Sequence, residues 1–249
     1  MKTNSRDVRS LSVFRWLRNN KNWFAPILPY FAVWAGLFLF KNAWFTLIGF
    51  HIAIAFVLLV VWPNIPISIL FKSKTIGSSR RPRRRFASKP CAEDGAGSKL
   101  HKYPKWVVAS MLLCGSSGFG LYFLWGIFGI ANDLPAQLQS IGLTSSSWPV
   151  FIAYFALVNP FVEEYFWRAY LGSATKGFYI GDLVYAGYHG LILMNKVHPI
   201  SIFFALTCLT FIGWFWRQIV REDGGLLAPI LGHMAADFTI LWTIYLMTR

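Results

Sequence analysis

The chain has 249 residues, of which 55% are hydrophobic, 18% aromatic and only 14% charged, with a net charge of +14. Average globular chains carry about 25% charged residues, so the composition excludes disorder, collagen and coiled coil and indicates a polytopic membrane protein. The three cysteines have no paired spacing, which excludes a disulfide framework. The basic residues lie between apolar runs rather than in a nucleic-acid-binding motif, so we expect no nucleic-acid partner.

Seven apolar runs are long enough to cross a bilayer, which takes about 20 residues as a helix. The runs do not alternate with a period of two, as the strands of a membrane barrel would. We therefore predict an all-α fold, a polytopic transmembrane helical bundle with the lipid bilayer as its surroundings. The runs are residues 23–40, 44–71, 105–131, 147–171, 177–195, 199–218 and 224–247.

Proline and basic residues divide the chain into four parts. Pro63 and Pro66 predict that the second helix ends or leaves the membrane near Trp62. The polar stretch 132–146 is predicted to be a short external loop. The four parts are a basic N-terminus (1–22), scaffold helices (23–72), a disordered basic loop (73–104) and the remaining bundle (105–249), which holds the chemistry in about 147–241.

The distribution of Lys and Arg predicts the orientation of the chain. With seven spans, 21 of the 24 basic residues fall on one side of the membrane. The positive-inside rule makes that side cytoplasmic. The N-terminus is therefore expected in the cytoplasm of an integral membrane protein, in the plasma membrane of a prokaryote or the endoplasmic reticulum of a eukaryote.

Ionisable residues inside the predicted spans are concentrated in the last four runs. Charged groups at this depth are costly and mark functional sites. Apart from Lys105 at the start of the third run, the first three runs hold only His51, which has no acidic neighbour and is predicted to be incidental, like His101 and His198. Apart from Arg217 at the end of its run, the charged and histidine residues of the last four runs are Glu163, Glu164, Arg168, Asp182, His189, His233 and Asp237.

The first group of these residues falls on one predicted helix. Glu164 and Arg168 are four residues apart, so they share a face and can form a buried ion pair. Glu163 is turned about 100° away from Glu164, and Asn159 is one turn before it. A purely structural ion pair explains Glu164 and Arg168, but it does not explain a second glutamate, Glu163, at the same depth.

Two further groups follow at helical spacing. Asp182, Tyr185 and His189 lie three and four residues apart, so they share one face. A polar stripe between helices is the structural alternative, and Asp182 is also placed to cap its helix. His233 and Asp237 are one turn apart, as in carboxylate–histidine pairs that orient an imidazole, although a structural hydrogen bond explains them too.

These three motifs together resemble the CPBP family, the CAAX protease and bacteriocin-processing group also called Abi. The family pattern is Glu-Glu-x-x-x-Arg, Phe-x-x-x-His and His-x-x-x-Asn or Asp on successive helices. The resemblance covers about residues 147–241. Tyr185 stands where Phe is usual, and Asp237 stands where the prenyl endopeptidases carry Asn.

The resemblance implies a metal-independent glutamate endopeptidase that acts within the membrane on a membrane-anchored peptide or protein, prenylated CAAX proteins being one such class. Glu163 would be the general base, His189 would share the water and donate a proton, and His233 would stabilise the oxyanion. Glu164 and Arg168 would brace the site, with Asn159 and Tyr185 in support. Asp237 either carries a proton or orients His233, and both cases imply weaker or narrower activity.

Three alternatives stay open at this point. Glu163, His189, His233 and Asp237 are also acceptable zinc ligands, although no cofactor is expected. A membrane partner without protease activity, such as an immunity or assembly factor, would have the same fold. Ser117 lies in a Gly-x-Ser-Gly pattern similar to that of rhomboid serine proteases, but small residues at this spacing are common in spans.

Overall fold

The computed structural model describes residues 20–61 and 103–249. Within these two ranges all regular secondary structure is helical, which confirms the predicted fold class. Most of the predicted basic N-terminus, the helix end predicted near Trp62 and the predicted loop 73–104 lie outside the described residues.

Nine α-helices are found in the described residues, and two of them continue as π-helix. The wider π turns follow α2, over Ala35–Leu39, and α6, over Tyr165–Tyr170. In chain order the helices are α1 Lys21–Phe24, α2 Ile27–Trp34, α3 Ala43–Val61, α4 Tyr103–Phe123, α5 Leu134–Ser140, α6 Trp148–Glu164, α7 Ile180–Leu193, α8 Pro199–Asp223 and α9 Leu227–Thr248.

Each of the seven predicted runs contains a helix, but the helices differ in length and hydropathy, and so in whether they can cross a membrane. Within the described ranges, three are long and apolar enough to cross a membrane, namely Lys105–Phe123, α8 and α9. Helix α7 has 14 residues, about 21 Å at 1.5 Å per residue, which is less than the ~30 Å of a hydrocarbon core. The helical segment 148–170 carries the charged residues of the first motif. Two of the three helices that carry the motifs, α6 and α7, thus fall outside this set, whereas α9, which carries His233 and Asp237, belongs to it.

The bundle has an apolar exterior, and its largely apolar core also contains a set of polar side chains. Large apolar side chains such as Ile52, Leu112 and Phe203 are exposed, as expected of a surface that faces lipid. Among the described residues, the buried charged, histidine and amide side chains are His51, Asn159, Glu163, Glu164, Arg168, Asp182, Arg217 and His233. Their burial places the ionisable groups where neighbouring helices can pair them.

Helix α9 is the centre of the bundle, since it packs along α4 and also contacts α6 and α8. Small residues let α4 approach it closely. A Cβ added at Gly118 would meet the backbone oxygen of Thr239, and one at Gly232 would meet the hydroxyl of Ser110. The remaining pairs are α7 with α8, α2 with α3 and α7, and α3 with α6.

The stretch predicted as an external loop, residues 132–146, is more structured than its polarity indicates. It contains helix α5, whose Leu134 and Leu138 are buried with Leu143 against Trp148. The two buried leucines are one helical turn apart but are surrounded by polar residues, so the average polarity of the stretch does not reveal the helix. This cluster closes one end of the α3–α6 contact.

Replacing Gly118 by Ala should weaken the α4–α9 contact. Alanine normally favours a helix by about 1 kcal/mol over glycine, but here the methyl group meets a backbone that cannot rotate away. We expect the free energy of unfolding in detergent to fall by about 1–3 kcal/mol. Gly120→Ala is the control, because its Cβ would have nothing within 4 Å. Equal effects of the two substitutions would contradict this packing.

Candidate active site

The C-terminal half of α6 carries the first motif into the interior. Asn159, Glu163 and Glu164 are each 1% exposed or less. Pro160 lies inside the helix, and the backbone widens into the π segment directly after Glu164. Such π turns are frequent at functional sites. The two glutamates nevertheless leave the helix in different directions, as predicted from their adjacent positions.

Glu164 is held by two basic groups. Its Oε2 lies 3.2 Å from the Nε of Arg168, and its Oε1 lies 2.9 Å from the Nδ1 of His233. The Arg168 guanidinium also lies over the ring of Tyr185, 3.9 Å from its centroid. Glu164 therefore ties α6 to α9 through an ion pair on one oxygen and a hydrogen bond on the other.

His233 stands between two carboxylates. Its Nδ1 faces Glu164, while its Nε2 is 3.5 Å from the Oδ1 of Asp237. The ring stacks on Trp216 with a centroid separation of 5.2 Å. A distance of 3.5 Å is long for a hydrogen bond, so Nε2 stays free to donate to another acceptor. Asp237 is thus placed to orient the imidazole.

Glu163 is held by neutral hydrogen-bond donors only. The amide of Asn159 donates to Oε1 at 2.8 Å, and the Tyr188 hydroxyl lies 2.6 Å from both carboxylate oxygens. Within the described part of the chain, Glu163 has no ion pair with Lys or Arg, in contrast to Glu164. A carboxylate fixed in this way keeps lone pairs for a further proton donor such as water.

The Asn159 amide joins the two carboxylates that face each other across the site. Its Nδ2 is 2.8 Å from Glu163 Oε1 and 3.3 Å from the Oδ2 of Asp237. Asp237 in turn faces the Nε2 of His233 at 3.5 Å. The base and the oxyanion group predicted from the sequence are therefore linked through Asn159 and Asp237 at the α6–α9 contact.

His189 lies next to these groups without a hydrogen bond to any of them. Its ring is 4.0 Å from the ring of Tyr188 and 5.6 Å from that of Tyr185, between centroids. Its Nδ1 is buried and has no hydrogen-bond partner. The imidazole is therefore close to Glu163 through Tyr188, and one of its nitrogens is unused.

Asp182 does not share the site of Tyr185 and His189, although the three residues lie on one helix. It pairs with Arg217 at 2.7 Å and accepts a hydrogen bond from the Tyr179 amide at 2.9 Å. The capping alternative is thus the one observed. Arg217 also donates to the carbonyls of Ser173, Thr175 and Gly177, so the pair fastens the loop between the π segment and α7.

Sequence reasoning missed two polar residues of the site. Tyr188 is one position before His189 and is outside the motif. His51, predicted to be incidental because it lacks an acidic neighbour, is hydrogen-bonded to Asn159, with 3.1 Å between its Nε2 and the Asn159 Oδ1. The available signal was that it is the one charged or histidine residue in the interior of the first three runs.

Ser117 has the contacts of a structural serine. Its Oγ donates to the Cys114 carbonyl of its own helix at 2.5 Å. A nucleophilic serine needs a base within hydrogen-bond reach, and the described contacts of Ser117 include none. In the described ranges, no group of three or more His, Cys, Asp or Glu side chains is arranged to hold a metal ion.

Comparison with known proteins supports the resemblance seen in the motifs. A family model described as type II CAAX prenyl endopeptidase Rce1-like matches residues 145–239. This segment nearly coincides with the predicted 147–241 and contains all three motifs, so the predicted resemblance is confirmed over it. No curated protein and no solved structure matches the chain.

Removing Arg217 should unfasten the loop and leave Asp182 as an uncompensated buried charge. We expect Arg217→Leu to lower the free energy of unfolding by about 3–5 kcal/mol. Adding Asp182→Leu should recover part of that loss, because the orphan charge is then gone. The control is Arg221→Leu, whose ion pair with Glu222 is solvent-exposed. A loss no larger than that of the control would refute the buried pair.

Proposed function

We propose that this protein is an intramembrane endopeptidase in which Glu163 activates water to attack a peptide bond of a membrane-associated substrate. One observation carries the proposal. The Glu163 carboxylate is buried and is held by hydrogen bonds rather than by a salt bridge, although Glu164 beside it takes the neighbouring cation. A structural role needs one paired glutamate, whereas a general base needs a carboxylate with accessible lone pairs.

The first chemical step is the attack of water on the scissile carbonyl. Glu163 accepts one proton from the water while the oxygen bonds to the carbonyl carbon and the carbonyl electron pair moves onto oxygen. Asn159 and Tyr188 hold the carboxylate in position during this transfer. Positioning of this kind makes proton transfer effective because the reacting atoms are already aligned.

The oxyanion formed in this step needs a hydrogen-bond donor. His233 Nε2 is suited to this because its separation from Asp237 is long, at 3.5 Å. Glu164 on Nδ1 supports a ring that carries protons on both nitrogens. The Asp237 carboxylate opposes the oxyanion charge, which is consistent with a slower enzyme than one with an amide there.

The second step breaks the carbon–nitrogen bond. The oxyanion electron pair re-forms the carbonyl, and the amine leaves with the proton that Glu163 took from water. Glu163 passes this proton to His189, which is next to Tyr188 and has an unpartnered Nδ1, and we assign to His189 its delivery to the departing nitrogen. Glu163 then returns to its starting charge.

The family segment and the membrane setting support a proposal for the substrate class. The Rce1-like match supports a CAAX-type substrate, in which a prenyl chain on cysteine would lie in the apolar part of the bundle. We propose a metal-free reaction, since Glu164 is engaged by Arg168 and His233 faces a carboxylate at each nitrogen. The basic-residue distribution supports a cytoplasmic N-terminus.

Replacing Glu163 by Gln should abolish hydrolysis while it preserves the shape of the site. We expect kcat to fall by about 10²–10⁴-fold, the usual contribution of a general base. The assay uses purified protein and a quenched-fluorescence peptide with a farnesylated cysteine followed by three residues.

Three controls accompany the Glu163 experiment. Glu222→Gln and Ser117→Ala should keep full turnover, because the first residue is on the surface and the second bonds only its own helix. Chelators should leave turnover unchanged, and a loss restored by zinc would favour the metal alternative. Full biological activity of Glu163→Gln would instead favour a membrane partner without protease activity.

Replacing Asp237 by Asn should raise the rate. The substitution removes a negative charge next to the developing oxyanion and keeps an oxygen that can accept from Asn159. We expect kcat to rise by roughly threefold to tenfold, a gain of about 1 kcal/mol. The same farnesylated peptide measures it, and a loss of more than tenfold would mean that the carboxylate itself is required.

A further inference from the structure

We propose that His51, on α3 and outside the family segment, is a positioning residue that acts on Glu163 through Asn159. The observation is a continuous hydrogen-bond chain that crosses from α3 to α6. The Tyr154 hydroxyl is 3.2 Å from His51 Nδ1, His51 Nε2 is 3.1 Å from Asn159 Oδ1, and Asn159 Nδ2 is 2.8 Å from Glu163 Oε1. The expected effect of His51 on catalysis rests on the proposed function, whereas the series of hydrogen bonds does not.

The available donors determine which group donates and which accepts in each hydrogen bond of this series. Two carboxylates face Asn159 Nδ2, so the NH₂ group of the amide must point to Glu163 and Asp237. Its oxygen therefore points to His51, and His51 Nε2 must carry a proton to donate to it. In a neutral ring Nδ1 is then an acceptor, which the Tyr154 hydroxyl satisfies as donor.

His51 is needed because an amide has nearly the same shape in either orientation. A flipped Asn159 would present its oxygen to two carboxylates and lose both hydrogen bonds. The two carboxylates select the productive orientation, and His51 in its Nε2–H tautomer stabilises it by donating to the amide oxygen. In this buried place, with Asn159 1% and His51 9% exposed, water is a poor substitute as a partner.

The experiment compares two substitutions of His51 with a matched histidine control. His51→Leu removes the donor, and His51→Gln keeps an amide N–H at a similar reach. The control is His198→Leu, since His198 is exposed and caps α8 away from the site. On the farnesylated peptide we expect His51→Leu to lower kcat about tenfold with KM within about twofold. His51→Gln should recover most of the rate.

A double-mutant cycle separates positioning from general loss of packing. If His51 acts through Asn159, His51→Leu should cost little further rate once Asn159→Ala is present, because coupled residues are not additive. Independent, multiplicative losses would overturn the proposal. A failure of His51→Gln to exceed His51→Leu in rate would also overturn it.

A readout that does not depend on hydrolysis keeps this inference separate from the proposed function. The infrared carboxyl band of Glu163 is assigned as the band missing in Glu163→Gln. We expect it to shift in His51→Leu, and to stay unchanged in His51→Gln and His198→Leu. An unshifted band in His51→Leu would refute the positioning role, even in a protein without peptidase activity. A shifted band in a protein that cleaves no peptide would retain it and reject only the proposed function.

Discussion

The arrangement of the site depends on the pairing of charge in an apolar bundle. A buried carboxylate must be compensated, and Glu164 meets this need with Arg168 from its own helix and His233 from α9. Those contacts fix the rotation of α6 against α9. Glu163, the next residue on the helix, is thereby directed toward Tyr188 and Asn159, which hold it without neutralising it. Two adjacent glutamates thus have different surroundings, and this difference is the basis of the proposed chemistry.

The sequence predicted what depends on local spacing. Helices occur in all seven predicted runs, and the pairs four residues apart, Glu164 with Arg168 and His233 with Asp237, are in contact. The spacing of 3.6 residues per turn is enough for that. The family resemblance, confirmed over 145–239, depended on the same spacing.

Contacts between helices could not be predicted in the same way, because they depend on how each helix is rotated in the bundle. Tyr188 reaches Glu163 although the motif names its neighbour His189. Asp182 shares a helix face with Tyr185, yet it forms an ion pair with Arg217 of α8 instead of contacting the candidate site. His51 was judged by its sequence neighbours, yet its partner is 108 positions away. Helix α3 of the N-terminal part therefore contacts the candidate site through His51.

The central claim is that water, and not a protein side chain, attacks the substrate. A single-turnover reaction in water enriched in heavy oxygen tests it most directly, with mass spectrometry of the cleaved peptide and of the enzyme fragment that contains Glu163. The account predicts one heavy oxygen in the new peptide carboxylate in the first turnover and none in Glu163. Heavy oxygen in the Glu163 carboxylate, with an unlabelled peptide product, would mean that Glu163 itself is the nucleophile and would contradict the account.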